Sequence, residues 1–475
     1  MVLAWRPSPP WSSVHRRAFG LSFGRGCSAM DRTNRLAPHP MELMEGEALI
    51  RESARDLPVR ASCDVLVVGG GPAGVGAALA AAQTGARTLL VERHGMLGGM
   101  WTAGLVNPFF EATQNGWIVA QVVQRLQAAG AWRAWRWACT FDPEVMVHQL
   151  ERLMAEAGVG LLYHCLGVDS VVEDGRVRGV VIESKAGREA LLADVVVDCT
   201  GDGDVAARAG AAFEFGRPED GLVQPMTLMF ELDGTGDFSQ ESAPALFDAM
   251  THAIAEHGLN VQLPFERANY VPWIIALPAA GAAAVQLTHV YRLNPLDPAD
   301  LSAGTLDARR QAAEAAEVLR HVPGLRNARL RRTAAHIGVR ETRRILGAYQ
   351  LSLDDLAAGR RFPDGIAVCG FGVDIHEPAP GAGVASGHGA RMLPYEIPYR
   401  CLVPGEVGGL LVAGRCISGT HEAHASYRVT GTCVATGQAA GLAAAWASAR
   451  GLSPSQVDGP ELRSGLIERG VSLPA

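Results

Sequence analysis

The stretch that most constrains this chain is VLVVGGGPAG, from Val65 to Gly74. Val65–Val68 is a short unbroken apolar run closed by glycines, the pattern of a strand buried on both faces. Ala73–Thr84 is alanine-rich and stops before Gly85, as a helix does. Thr88–Val91 repeats the buried-strand pattern, and the three segments read as one βαβ unit. Gly69, Gly71 and Gly74 fall on the GxGxxG spacing, with Pro72 and Ala73 opening the helix. Glu92 closes the second strand about 20 residues later, where a dinucleotide fold keeps an acid for the ribose. Each position has a physical task. Gly69 allows a tight turn, Gly71 lets backbone N–H groups approach a pyrophosphate, and Gly74 lets helix and strand pack closely. The helix N-terminus stabilises phosphate charge by roughly 0.3–2 kcal/mol. Glu92 accepts from ribose hydroxyls and repels a 2′-phosphate, which argues against NADP. A glycine turn in a ligand-free α/β fold accounts for the glycines, but not for the strand, helix and acid around them. The fingerprint alone does not choose between FAD and NAD.

The 475 residues suffice for two or three domains and a large core. A formal charge of −7 and the lack of a basic stripe argue against nucleic acid. The nine cysteines are dispersed, with no CxxC or CxxxC. That pattern gives neither an iron–sulfur nor a zinc framework, and it fits a reducing, cytoplasmic setting. Val271–Leu287 is apolar but short for a membrane span and contains Pro278, so it reads as core. Before the first acid, Asp31, lie Arg6, Arg16, Arg17 and Arg25. They raise a transit peptide or a twin-arginine signal, yet no apolar run of signal length follows Arg16-Arg17. Residues 1–60 are expected to be an unstructured extension, or the product of a start codon upstream of Met30 or Met41.

Farther along, Asp142–Ala157 has helical amphipathicity. Gly160–Val197 alternates as strands do, with turns at Glu173-Asp174-Gly175 and Lys185-Ala186-Gly187. It ends in DVVVDCTGDGD, a buried strand running into a glycine turn. The pattern changes near Phe215: Met226–Leu232 and Ala283–Tyr291 read as strands, and Ala308–Arg320 as a charged helix. Leu410–Val412 returns to buried strand, and Thr432–Ser448 is a long helix of small residues. The expected class is α/β. A Rossmann-like domain occupies 61–211 and 393–450, an α+β substrate domain is inserted at 212–392, and 451–475 form a tail.

VVGGGPAG, GMLGGM, VVVDCTGDGDVAARAGA, QPMTLMFEL, HIGVRETRRILGAYQLS, YEIPYRCLVP, LLVAGRCIS and ATGQAAGLAAA occur in that order. In these motifs, residues 61–450 resemble the FAD-dependent oxidoreductases of the glutathione-reductase-like Rossmann superfamily. The resemblance is to the group that includes the flavin core of heterodisulfide reductase. It implies one FAD. Gly69–Gly74 would hold the pyrophosphate and Glu92 the adenosine ribose. Gly98, Gly99 and Met100 would lie along the flavin, and the backbone of Val168 would meet adenine. Gly201-Asp202 and Gly414-Arg415 would pass the pyrophosphate and ribitol. Arg93, Gly431 and Thr432 complete the cofactor set. A helix starting near Thr432 would aim its positive end at the flavin N1–C2=O edge, where negative charge develops on reduction. The same small residues equally suit plain tight packing.

Disulfide reductases of this superfamily place a cysteine pair soon after the first βαβ unit. Here Met100, Trp101 and Thr102 stand instead, and no second GxGxxG appears. The cysteine clusters of the heterodisulfide reductase relatives are missing too. Direct hydride exchange between the flavin and a small organic substrate is therefore expected, with Met100-Trp101 walling the flavin. The alternative is a flavin-bearing electron-transfer subunit docked to an iron–sulfur partner. A third reading is a structural or sensory FAD. Three segments offer polar groups: HIGVRETRR (His336, Arg340, Glu341, Arg343), VDIHEP (Asp374, His376, Glu377) and THEAHASYR (His421, Glu422, His424, Tyr427, Arg428). Histidine takes a proton near neutral pH, and arginine grips a carboxylate bidentately. His421, His376, Arg340 and Arg428 are the expected catalytic set. Plainer readings stand beside them: GVRETRR as a salt-bridged helix start, His376 as a capping or core residue. His421-Glu422-Ala423-His424 falls one residue short of the zinc-protease spacing, and no metal is expected. Trp132, Trp135 and Trp137 read as a half-buried amphipathic segment rather than a lid.

Overall fold

The computed structural model describes residues 52–135, 138–238, 242–261, 263, 273–379 and 392–474. The expectations for the first 51 residues and for Trp137 fall outside these ranges.

β1 (Val59–Val68) runs through the glycine turn into α1 (Pro72–Gln83), and β2 (Thr88–Glu92) follows. α2 (Trp117–Ala128), the hairpin β3 (Trp132–Trp135) and β4 (Ala138–Phe141), and α3 (Pro143–Ala157) separate β2 from β5 (Gly160–Tyr163). β6 (Leu166–Glu173), β7 (Arg176–Ser184) and β8 (Gly187–Asp198) form an antiparallel meander whose turns are the two anticipated glycine turns. β8 serves two layers. Its first half pairs with β7, and its last residues, Val196–Asp198, pair in parallel with β17 (Leu410–Val412). The parallel order is β5-β2-β1-β8-β17, so the strand that closes the sheet comes from far along the chain. The central residues Val65, Leu66, Val67, Val195, Val196 and Val197 are fully buried. That is why they read as unbroken apolar runs.

Between β8 and β17 the chain builds other layers. α4 (Asp204–Arg208) and β9 (Phe213–Phe215) come first. A four-stranded antiparallel sheet follows, in the order β11-β12-β10-β13, from β10 (Phe230–Asp233), β11 (Trp273–Ala276), β12 (Ala283–Gln286) and β13 (Arg329–Thr333). α5 (Ala243–Glu256) and α6 (Pro298–Leu319) pack beside it, and Phe230, Met250, Val285 and Leu319 share one buried core. A smaller apolar cluster, including Leu105, Met226, Leu277 and Ile337, ties this layer to the first βαβ region. β14 (Arg343–Ile345), α7 (Leu353–Ala357), β15 (Gly365–Cys369) and β16 (Tyr395–Pro398) follow, and Ile345, Leu356 and Ile366 join the main core. α8 (His421–Tyr427), α9 (Thr430–Arg450) and α10 (Gly459–Glu468) end the chain. The fold is thus α/β, a Rossmann-like domain interrupted by an insert.

Several elements differ from expectation. The segment Met226–Leu232 is mostly extended but pairs as a strand only from Phe230, with isolated bridges at Met226 and Thr227. α6 starts ten residues before Ala308, where Asp297 caps the amides of Ala299 and Asp300 and Pro298 opens the helix. HIGVRETRR is extended, not a helix start, because its arginines reach partners on separate elements. Trp132 packs edge-on against Phe109 and Trp135 lies against Phe238, so both are half-buried in the core's margin. No helix among the described residues is long and apolar enough to cross a membrane.

α1 and α9 meet backbone to backbone. A Cβ on Gly437 would lie 2.0 Å from the Ala73 carbonyl oxygen, one on Gly441 2.1 Å from that of Ala77, and one on Gly76 2.4 Å from that of Val434. Gly441→Val is expected to lower unfolding free energy by about 3 kcal/mol or more, since neither backbone can yield without shifting the sheet it covers. Gly451→Ala, at a helix end with φ +65° and open space around it, is expected to cost about 1 kcal/mol of left-handed strain. Urea unfolding of the two variants measures both. Equal costs would contradict the packing account.

Candidate active site

A cleft of about 1000 Å³ runs along the carboxyl ends of β1, β2, β8 and β17. This is where open parallel sheets bind ligands. Its floor is the glycine turn. Gly69 has φ +101°, and a Cβ there would sit 2.5 Å from the Cys199 carbonyl oxygen. A Cβ on Gly74 would lie 1.8 Å from the Gly69 carbonyl oxygen. Gly71 differs from both: a Cβ there meets no atom within 4 Å. It faces the cleft, so its lack of a side chain serves no protein contact. Pro72 and Ala73, the first residues of α1, line the same wall.

Glu92 is buried at the end of β2. Its carboxylate accepts from the Gly70 N–H at 2.6 Å and the His94 N–H at 2.7 Å, which fixes it at the cleft edge. The 98–99 turn lies on the first glycine turn. The Gly98 N–H donates to the Gly70 carbonyl at 2.8 Å, and a Cβ on Gly99 would come 2.9 Å from the Gly71 Cα. Met100 follows it along the cleft wall. Trp101 does not share that role. It is fully buried, stacked on Phe109 at 4.9 Å, and belongs to the main core. Core aromatics take it because the short helical turn at Gly99–Trp101 rotates it away from Met100.

At the β6 end, Cys165, Leu166 and Gly167 line the cleft, and Val168 does not. The register of β6 on β7 shifts between Gly167 and Asp169, so Val168 is passed over by the ladder. Leu166, 47% exposed, offers an apolar surface that sequence reasoning misses. Its signal is a large apolar residue opening a strand whose core face starts later.

One charged pair and one arginine–histidine contact flank the cleft. Asp202 meets Arg415 Nη2 at 2.8 Å and accepts from the Thr342 hydroxyl at 2.8 Å. Burial opposes the Asp202 charge, but Arg415 outweighs it and holds the carboxyl below its usual range. Arg415 Nη1 is buried with no acceptor among the described residues. Gly201 has φ +83°, and a Cβ there would strike the Arg415 guanidinium at 2.8 Å. Gly414, with φ +89°, lies against Ala73. Across the cleft, Arg93 Nη2 lies 2.9 Å from Nε2 of His336, a residue of the insert. Burial and Arg93 push the His336 pKa down to about 3, so its ring is neutral.

α9 reaches the cleft through Thr430 and Cys433. Gly431 is instead pressed on the Phe110 carbonyl oxygen, 2.2 Å from where its Cβ would be, and Thr432 is fully buried. The Thr430 hydroxyl is buried without a partner among the described residues. Burial pushes up the thiols of Cys165, Cys199 and Cys433, the last to about 12. None is a thiolate near neutral pH. The donor set fits FAD: a bare turn at Gly71, a helix end, and an arginine nitrogen and a threonine hydroxyl that lack acceptors.

The four expected catalytic residues gather around a second cavity, of about 730 Å³, and its wall with the cleft. His376 and His421 line this cavity. His421 opens α8, whose cap is the Thr420 hydroxyl. Its Nδ1 lies 2.8 Å from Oε1 of Glu341, which is fully buried and also takes Arg344 Nη1 at 2.5 Å. His376 Nδ1 is 3.2 Å from His289 Nε2, and its Nε2 is 3.4 Å from Asp374 Oδ2. Burial, then Arg340, lowers the His376 pKa to about 4, and the same causes hold His289 well below its usual range. Arg428 lines the cleft and binds the Asp374 carboxylate at 3.0 Å. Burial works against that carboxylate's charge, but His376 and Arg428 prevail and hold it well below the usual range. Arg340 is buried, engaged by the Thr227 hydroxyl at 2.8 Å and by the Pro225 carbonyl. Arg343 goes elsewhere, to the Asp202 carbonyl and Asp204. His424 is buried against Tyr427 and does not converge with His421. Among the described residues, no group of three histidines, cysteines or acids is placed to hold a metal.

The profile of the FAD dependent oxidoreductase family matches residues 64–466. The chain is also 30% identical, over 228 residues, to the thiamine thiazole synthase of Aeropyrum pernix, an alignment covering 45% of this chain and 81% of that one. It is 31% identical over 155 residues to a digeranylgeranylglycerophospholipid reductase of Methanopyrus kandleri, covering 29% and 39%. Among solved structures, a geranylgeranyl bacteriochlorophyll reductase-like protein of Thermoplasma acidophilum aligns with a TM-score of 0.44 at 15% identity, over 86% of this chain and 83% of that one. With its sheet, its glycine turn and a profile match across most of its length, the chain belongs to the FAD-dependent oxidoreductases, enzymes whose cofactor is FAD.

Proposed function

We propose that this enzyme moves a hydride between the flavin and a small organic substrate, and that the cleft binds FAD through the residues that line it. The observation that carries this reading is the pairing of a cleft free of reactive thiols with an adjoining cavity where His376 and His421 converge. When bound, FAD supplies a two-electron acceptor or donor. Gly71 and the start of α1 receive the pyrophosphate, and Glu92 orients the ribose. Thr430, at the end of α9, and Arg415 supply donors to the flavin half. His421 is the proton acceptor, because its ring opens on the cavity. Asp374 holds Arg428 toward the cleft and His376 toward the cavity. Burial, with Arg340 beside it, keeps His376 and His289 neutral, and Arg340 braces the wall, a change from its expected role as a carboxylate grip. The assigned insert, about 212–392, covers the substrate side.

Two outcomes test this reading. Gly71→Val should fold normally, because a Cβ there meets no described atom within 4 Å. It should nonetheless purify colourless, as the side chain occupies the pyrophosphate's path. A yellow Gly71→Val holoprotein would remove the cofactor assignment. Second, the wild-type flavin should bleach anaerobically with an organic substrate, and His421→Gln should lower that rate by about 10²–10⁴. Bleaching only by a reduced iron–sulfur protein would overturn the hydride reading.

A further inference from the structure

The second cavity has one orphan donor and one matching acceptor. Gln224 is 2% exposed and lines the cavity. Its Oε1 accepts the His376 backbone N–H at 3.1 Å, while its Nε2 is buried with no acceptor among the described residues. A buried N–H₂ without a partner costs free energy unless a ligand completes it. On the opposing side, His421 Nδ1 faces the Glu341 carboxylate. A carboxylate held by Arg344 only accepts, so Nδ1 carries the proton and Nε2 presents a lone pair. No described protein group pairs with that Nε2. An orphan donor and a bare acceptor on two residues that line one cavity are complementary to a hydroxyl, whose oxygen accepts and whose hydrogen donates.

We infer that this cavity binds the hydroxyl of a neutral alcohol between Gln224 Nε2 and His421 Nε2, with Glu341 as the residue that positions the ring. The inference rests on the hydride reading only for the use made of the site. There, FAD would supply the two-electron acceptor, and His421 Nε2 would take the alcohol O–H proton as the carbinol C–H leaves as hydride and the C–O bond becomes C=O. Other charge classes fit worse. A carboxylate would meet Glu219 and Glu422 at the rim, and the arginine there, Arg217, is already held by Asp220 at 2.7 Å and Glu377 at 3.2 Å. An ammonium has only donors and leaves Gln224 Nε2 unsatisfied.

The test uses the holoenzyme with ¹⁵N-labelled histidine, the His421 signals being identified by their loss in His421→Gln. The expected spectrum has Nδ1 protonated and Nε2 bare. Cyclohexanol should shift the Nε2 signal and bind at least fivefold more weakly to Gln224→Leu. Cyclohexylammonium and cyclohexanecarboxylate should leave the signal in place. Glu341→Gln, whose amide can donate to Nδ1, should yield mixed tautomers; if that variant fails to fold, the wild-type tautomer decides. A ring protonated on Nε2, cyclohexanol binding indifferent to Gln224→Leu, or tighter binding of either charged probe would each overturn the proposal. All of these readouts report binding and ring protonation. A failed alcohol site would therefore leave flavin bleaching by another substrate class standing, and failed bleaching would leave the binding result standing.

Discussion

The backbone contact between α1 and α9 sets everything around it. Ala73 meets Gly437 and Ala77 meets Gly441, so residue numbers rise together and the two helices run the same way. Their amino ends therefore approach one cleft, α1 through Pro72 and Ala73, α9 through Thr430 and Cys433. Two helix N-termini, each with about half a positive charge, favour an anionic, electron-accepting guest. The contact is possible only where neither helix carries more than a methyl group. It also explains why Gly414, at the end of the strand entering this region, sits against the Ala73 methyl. A bulkier residue at any of these points would spread the helices and widen the cleft that the sheet defines.

Several charges around the two cavities are organised as pairs. Asp202 and Arg415 neutralise each other beside the cleft. Asp374 is shared by Arg428 and His376. Glu341 is shared by Arg344 and His421. A buried carboxylate with neither a cation nor donated hydrogen bonds would protonate rather than stay charged. The sharing has a functional consequence. Glu341 joins Arg344, which is bound into the scaffold, to His421, which lines the second cavity, so the orientation of that ring follows from the scaffold.

Local constraints are legible in the sequence and long-range ones are not. Gly69 and Gly74 are dictated by contacts within one βαβ unit, and Gly71 by a ligand that unit is built to meet. The buried strands Val65–Val68 and Leu410–Val412 announce themselves because both faces are covered. Some local signals are easily overlooked: the Asp297-Pro298 start of α6, the Asp458 cap of α10, and the apolar spacing of Ile118, Val119, Val122, Val123 and Leu126 in α2. HIGVRETRR misleads for a physical reason. Its charges are spaced like a helix face, but Arg344 reaches Gly216 and Gly419 and Glu341 reaches His421, contacts that extended backbone permits and helix would not. Trp101 and Met100 are neighbours in sequence and face opposite surroundings, a matter of one short helical turn. The pairing of Glu341 with a histidine 80 residues away leaves no mark in either local pattern.

The wall between the two cavities has its own electrostatic logic. Arg428 faces the cleft, His376 faces the second cavity, and Asp374 Oδ2 touches both. Arg340 stands close enough to depress His289 and His376 alike. With both rings neutral, two arginines and one carboxylate leave this wall a net positive charge. At an effective dielectric constant near 20, unit charges about 4 Å apart interact by about 4 kcal/mol. Of these charges, Arg428 is the one that lines the cleft, so an attraction of that size is available to an anionic group bound there, while Asp374 ties the same arginine to His376 on the other side of the wall.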